Sequence, residues 1–190
     1  MERKYDDFMN HQKKRLRPVH GILLFVLVMV SYYTIIAWMQ MKFGMYGLAM
    51  TELYLLLLSV GITALCGADF AEVFTVRKPS WSKIFGTLLL WAVVYALVLP
   101  VTMVIAWLFP EQMFGTSSAL NDIIASVPLL ISIFITAVMP AVCEEAMHRG
   151  VILHGLKSLK REWLIVLIMG LLFGLFHGSV WRFMPTALLG

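Results

Sequence analysis

IFGTLLLWAVVYALVLPVTMVIAWL, residues 84–108, contains no Asp, Glu, Lys or Arg. A helix needs roughly 20 predominantly apolar residues to cross about 30 Å of hydrocarbon, and this run exceeds that. Pro100 lies inside it and predicts a kink. Working outward, four more apolar blocks come close to the same length: 19–39, 46–66, 123–143 and 163–181. No two-residue alternation is visible, and an open sheet could not satisfy its edge in lipid. The chain of 190 residues is 61% hydrophobic and 14% charged, with a mean hydropathy of +0.86. Soluble domains carry roughly 45–50% apolar and about 25% charged residues. The expected fold is therefore all-α, a polytopic transmembrane helical bundle of about five spans.

The net charge of +4 has a topological cause. Six Lys or Arg precede the first block (Arg3, Lys4, Lys13, Lys14, Arg15, Arg17). The following connections hold one (Lys42), three (Arg77, Lys78, Lys83), none (110–121), four (Arg149, Lys157, Lys160, Arg161) and one (Arg182). This alternation fits the positive-inside rule. It predicts a multi-pass protein of the cell membrane with a cytoplasmic N-terminus, and it leaves no charge pattern that calls for nucleic acid. Cys66 and Cys143 are too few for a disulfide framework and match no zinc-ribbon spacing; both read as small buried hydrophobes. The first block follows a polar stretch, 1–18, without an A-x-A cleavage site, so it reads as a retained anchor.

Three regions follow: a basic cytosolic tail at 1–18, N-terminal transmembrane helices over 19–121, and a C-terminal region over 122–190. Glu52, in the second block, reads as an interfacial acid that snorkels or pairs with a neighbour. From Asp122 to Leu159 a helical pattern persists without a gap. As one straight helix that would be about 57 Å long, nearly twice the hydrocarbon thickness. Pro140 removes a backbone donor in its middle, so the spacing predicts a break near Pro140, with a second helix over 141–159.

That second helix carries Glu144, Glu145, His148, Arg149, His154 and Lys157. Adjacent carboxylates beside strongly apolar sequence are costly, and ionisable residues within membrane segments mark functional sites. Glu145 and Arg149 are four apart, share a face and can pair. Glu144 points about 100° away and is left to act on a water molecule as a general base. His148 and His154 read as interfacial or helix-surface residues. The last block supplies Phe173-Gly174-Leu175-Phe176-His177. A polar turn (Lys157, Lys160, Arg161, Glu162) separates the two sites. Glu144 lies as far before Lys160 as His177 lies after Arg161. An antiparallel hairpin would thus hold the carboxylate and the imidazole at matching depth. A metal reading stands beside this one: Glu144 and His148 share a face, and His177 could be a third ligand, as in zinc sites with three protein ligands.

The pattern Glu144-Glu145-x-x-x-Arg149-Gly150, followed by Phe173-x-x-x-His177, resembles the CPBP family. These are the intramembrane CAAX-type prenyl proteases and the bacterial Abi-like relatives linked to bacteriocin processing and immunity. The resemblance covers roughly residues 122–190. It implies an intramembrane endopeptidase, a hydrolase in which Glu144 activates the attacking water. Glu145 and Arg149 match the supporting residues, and His177 matches a histidine that helps to hold the water or the substrate carbonyl. The implied partners are the lipid bilayer and a membrane-anchored or prenylated peptide or protein substrate. The implied cofactor is either none or a divalent metal such as zinc. Two departures stand out. His148 occupies a position that is usually aromatic in the family. The family pattern also continues to a further helix with a second histidine and, four residues later, Asn or Asp, groups that would stabilise the oxyanion. The sequence stops at Gly190, before that motif, so the chain is expected to be truncated and inactive as it stands. The rival reading is a catalytically inactive membrane immunity or scaffold protein of the same fold. A small transporter is disfavoured, because no inverted repeat is visible.

Overall fold

The computed structural model of the chain describes residues 15–75 and 78–190. Most of the expected basic tail (1–14) and Arg77 of the third basic cluster lie outside the described residues. The described residues are helical, with no strand among them. Helix α1 spans Pro18–Phe43 and α2 spans Met45–Leu65. A short helix, α3, covers Phe70–Val73. Helix α4 (Trp81–Leu108) is followed by α5 (Pro110–Ala125) and by α6 (Leu129–Leu159). Helices α7 (Glu162–Phe176) and α8 (Val180–Leu189) complete the order.

Among the described residues, four helices, α1, α2, α4 and α6, are long and apolar enough to cross a membrane. The fifth apolar block forms only α7, which is about 22 Å long at a helical rise, short of the hydrocarbon thickness. His177 closes α7, and Gly178, at φ 62°, turns the chain toward α8. A left-handed glycine just past a helix end is a common stop.

The helical pattern that starts at Asp122 also divides differently from the expectation. It is interrupted at Ser126–Pro128, between α5 and α6. Pro128 disfavours helical backbone at the residue before it, which ends the first piece. Near Pro140 the helix changes type instead of ending: a π-helical turn covers Phe134–Val138, just before the proline, and α6 continues to Leu159. A wider turn absorbs the missing proline donor without separating the two halves. A second π-helical turn covers Ala146–Ile152.

The chain forms two compact units, each assembled from separate stretches of sequence. The first takes the described residues up to Thr75 together with Phe134–Lys160. Here α1 and α2 form a hairpin whose turn is a single residue, Gly44 at φ 52°. Gly47 then lies so close to the Met39 carbonyl and Gln40 that no side chain fits between the two helices. Both α1 and α2 pack on α6. Leu24, Val28, Leu55, Met147, Val151 and Ile152 are buried at their meeting. Ser59 and Thr63 are fully buried and donate to the Leu55 and Ser59 carbonyls at 2.8 and 2.7 Å. Small, internally satisfied residues of this kind let membrane helices approach closely.

The second unit takes the described residues from Lys78 to Ile133 together with Arg161–Gly190. In it α8 packs on α7 and α4. Gly170 and Gly174 leave room for Ala187 and Phe183 of α8, and the Phe109 ring lies tilted against Trp181 with centroids 4.1 Å apart. Along α4 only Val98 is buried, while Leu89, Leu97, Met103 and Trp107 are exposed. A helix apolar on every side belongs in lipid. The protein is a multi-pass helical membrane protein.

Candidate active site

The acidic site forms in the first unit, where α2 meets the middle of α6. The Pro140 turn leads into Cys143, Glu144 and Glu145, the last residues before the second π-helical turn. Single π-helical turns recur at functional sites. Here the turn carries His148 and Arg149, so the local helix geometry shifts at the residues that the sequence motif marks.

Glu144 is half-buried. Glu52 of α2 is only 6% exposed, and its Oε2 has no hydrogen-bond partner among the described residues. The two carboxylates act on one another electrostatically. Buried Cys143 lies within the range of both. Glu52 therefore belongs to the interior acidic site and is not the interfacial acid that its position in the sequence suggests. Its place inside α2 is deep enough for the α6 contact to cover it. The sequence does hold a signal for this: an acid inside an apolar span is costly enough to imply a function.

Glu145 and Arg149 form the expected ion pair through Oε1 and an η nitrogen. Their side chains are 45% and 47% exposed, so solvent screening leaves the pair worth about 0.3–0.5 kcal/mol. Its contribution is to fix geometry. Both residues line a cavity of about 570 Å³, together with Phe74 and Val142. Phe74 reaches over Gly150, where a Cβ would lie 3.0 Å from its ring. Gly150 thus admits the α3 segment to the wall of this cavity.

His148 differs from expectation. It is 1% exposed, and its Nδ1 donates to the Glu144 carbonyl oxygen at 3.1 Å. The π-helical turn loosens the regular backbone ladder there, and the imidazole bonds back along the helix. Its burial suits a position otherwise filled by an aromatic ring. His154 is half-buried, with its ring against the Glu72 backbone.

His177 lies in the second unit, at the C-terminal end of α7. Its Nδ1 donates to the Phe173 carbonyl at 2.9 Å, and its ring packs against Phe173 and Phe176 at 4.9 and 5.7 Å. The neutral ring then carries its lone pair at Nε2. Helix geometry thus orients this imidazole and fixes its tautomer. The polar turn expected between the two site segments is present: Lys160 adopts a left-handed conformation at φ 55°, and α7 begins at Glu162.

Among the described residues, no three His, Cys, Asp or Glu side chains form a group able to hold a metal ion. Of the donors that the sequence suggests, His148 already commits Nδ1 to the Glu144 carbonyl.

The fold and this site define a polytopic α-helical membrane protein with two carboxylates, Glu52 and Glu144, on the helices α2 and α6 that pack together. Residues 126–190 match the family model described as Rce1-like, type II CAAX prenyl endopeptidase. The matched region holds Glu144, Glu145, Arg149 and His177 and covers about a third of the chain. That region is similar to the CAAX-type intramembrane proteases, as the two sequence motifs imply. No curated protein and no solved structure gives a match.

Proposed function

We propose that this protein is an intramembrane endopeptidase of the CAAX type, cutting a peptide bond of a prenylated or otherwise membrane-anchored substrate at the cell membrane. The observation that carries the reading is Glu144, half-buried beside the more deeply buried Glu52 and inside the family-matched segment. Glu144 takes a proton from water as the water oxygen attacks the substrate carbonyl carbon. The tetrahedral intermediate collapses with cleavage of the C–N bond, and Glu144 returns the proton to the leaving amine. Water-poor surroundings strengthen each of these electrostatic steps. The Glu145–Arg149 pair holds the α6 segment and the cavity wall in register. His177 matches the family histidine that helps to hold the water or the carbonyl, and Nε2 is the nitrogen left for that role.

The test uses the protein expressed from its complete reading frame, reconstituted in liposomes with a prenylated peptide. Glu144→Gln preserves shape and removes the base, and kcat/KM should fall by about 10²–10⁴. Asp122→Asn, on exposed α5, should leave the rate unchanged. Cleavage that persists in Glu144→Gln, or no cleavage of any membrane-anchored peptide, overturns the reading and favours the inactive scaffold.

A further inference from the structure

A second and larger cavity, of about 1040 Å³, lies in the first unit and shares Glu72 and Lys157 with the cavity that Glu145 and Arg149 line. It opens where three spans end together: the start of α1, the end of α2 and the end of α6 all line it. One face of the membrane thus meets this cavity, whichever way the protein is inserted. Its wall holds four cations, Arg15, Arg17, Lys157 and Lys160, against one carboxylate, Glu72.

The convergence of these charges is built into the backbone. Leu16 is 3% exposed while Arg15 and Arg17 on either side are exposed. The buried leucine pins the segment, and alternation along extended chain sends both arginines outward. The Arg17 carbonyl rests on Gly155 of α6, where an added Cβ would come within 2.8 Å of it. This close approach brings the arginines over the α6 end, which carries Lys157 and Lys160. The Arg17 backbone N–H donates to His20 Nδ1 at 3.0 Å, so the neutral imidazole keeps its proton on Nε2 as a further donor. The N-terminus of α1 adds its positive dipole end to the same wall. His154 Nδ1 is buried there without a hydrogen-bond partner among the described residues.

Cations and donors on one wall call for an anion. The rim says which kind: Val19 and Leu65 line the same cavity and are 50% and 90% exposed. A free phosphate ion has no use for exposed apolar surface at the edge of its site, whereas a phospholipid offers acyl chains to cover it. The other end of the α1–α2 hairpin has only Lys42, set over the Trp38 ring at 4.9 Å. We infer that the cavity between the ends of α1, α2 and α6 binds the phosphate headgroup of an anionic phospholipid, with the acyl chains along Val19 and Leu65. The inference is independent of the peptidase reading, and its test involves no hydrolysis.

The test is native mass spectrometry of the intact, delipidated protein titrated with phosphatidylglycerol or phosphatidylcholine. Phosphatidylglycerol should bind in preference. Each basic residue near a membrane surface contributes on the order of fivefold in affinity, so Lys157→Gln combined with Lys160→Gln should weaken phosphatidylglycerol roughly 25-fold. Lys42→Gln should change nothing. Glu72→Gln, on an exposed residue, should tighten binding by about fivefold; a gain cannot come from misfolding. Inorganic phosphate and glycerol 3-phosphate are added as competitors. Displacement of the lipid by either at comparable concentration would make this a soluble-phosphate site and overturn the lipid assignment. Equal binding of the two phospholipids, or no gain in Glu72→Gln, would overturn the anion site itself.

Discussion

Replacing Glu52 by Met should make the protein more stable and less active. Glu52 is 6% exposed in the contact of α2 with α6, and its Oε2 lacks a hydrogen-bond partner among the described residues. An unsatisfied buried acceptor costs about 1–3 kcal/mol. The neighbouring carboxylate of Glu144 adds repulsion to that cost. Met keeps the length of the side chain, removes both penalties and fills irregular space readily. The expected gain is therefore about 1–3 kcal/mol. Glu52→Gln should fall between the two, because the amide removes the charge and still lacks a partner. Stability is read from the midpoint of unfolding in a dodecyl sulfate titration of the purified protein. Hydrolysis of a prenylated peptide should fall as well, because Glu52 lies beside Glu144, the proposed base, and sets its surroundings. Stability that rises as activity falls is the mark of a group held against its own solvation for function. A Glu52→Met protein less stable than its parent by more than about 1 kcal/mol would refute the reasoning, because it would show that the carboxylate is structurally satisfied.

Two further outcomes follow from the packing and the charge pattern. Gly155→Ala places a Cβ 2.8 Å from the Arg17 carbonyl oxygen and 3.2 Å from its carbon, both backbone atoms that cannot rotate away. It should cost about 1–3 kcal/mol, whereas Gly115→Ala, with nothing within 4 Å on α5, should stabilise by roughly 0.4–1 kcal/mol; the same unfolding titration checks both. The positive-inside pattern predicts that Ser158→Cys is labelled only from the cytoplasmic side and Met41→Cys, at an 88% exposed position, only from outside. With Cys66 and Cys143 replaced, labelling of Ser158→Cys by an impermeant maleimide on intact cells would reverse the assigned orientation.

The class of fold is legible in the order of amino acids alone. Long charge-free runs such as 84–108 can satisfy their backbone in lipid only as helices, and no tertiary information is needed for that conclusion. The motif residues are legible too, since Glu144, Glu145, Arg149 and His177 are marked by polarity inside apolar sequence. The Glu145–Arg149 pair can be read in advance because partners four residues apart on a helix meet whatever surrounds them. What lies beyond reach depends on distant contacts. Pro128 and Pro140 are both prolines in helical sequence, yet one ends a helix and the other is absorbed by a π-helical turn; local propensity treats them alike. Glu52 reads in the sequence as an interfacial acid that snorkels or pairs with a neighbour, and His148 as an interfacial or helix-surface residue, because burial belongs to neighbours far along the chain. Glu52 is covered by α6, which begins only at Leu129, with α3, α4 and α5 in between. The basic cavity is the clearest case. Arg15 and Arg17 precede the first span, Lys157 and Lys160 stand at the end of the last long one, and in sequence they are only flanks of separate helices. Their convergence on one wall rests on a close approach of backbones at Gly155, which no pattern of charge or hydropathy records.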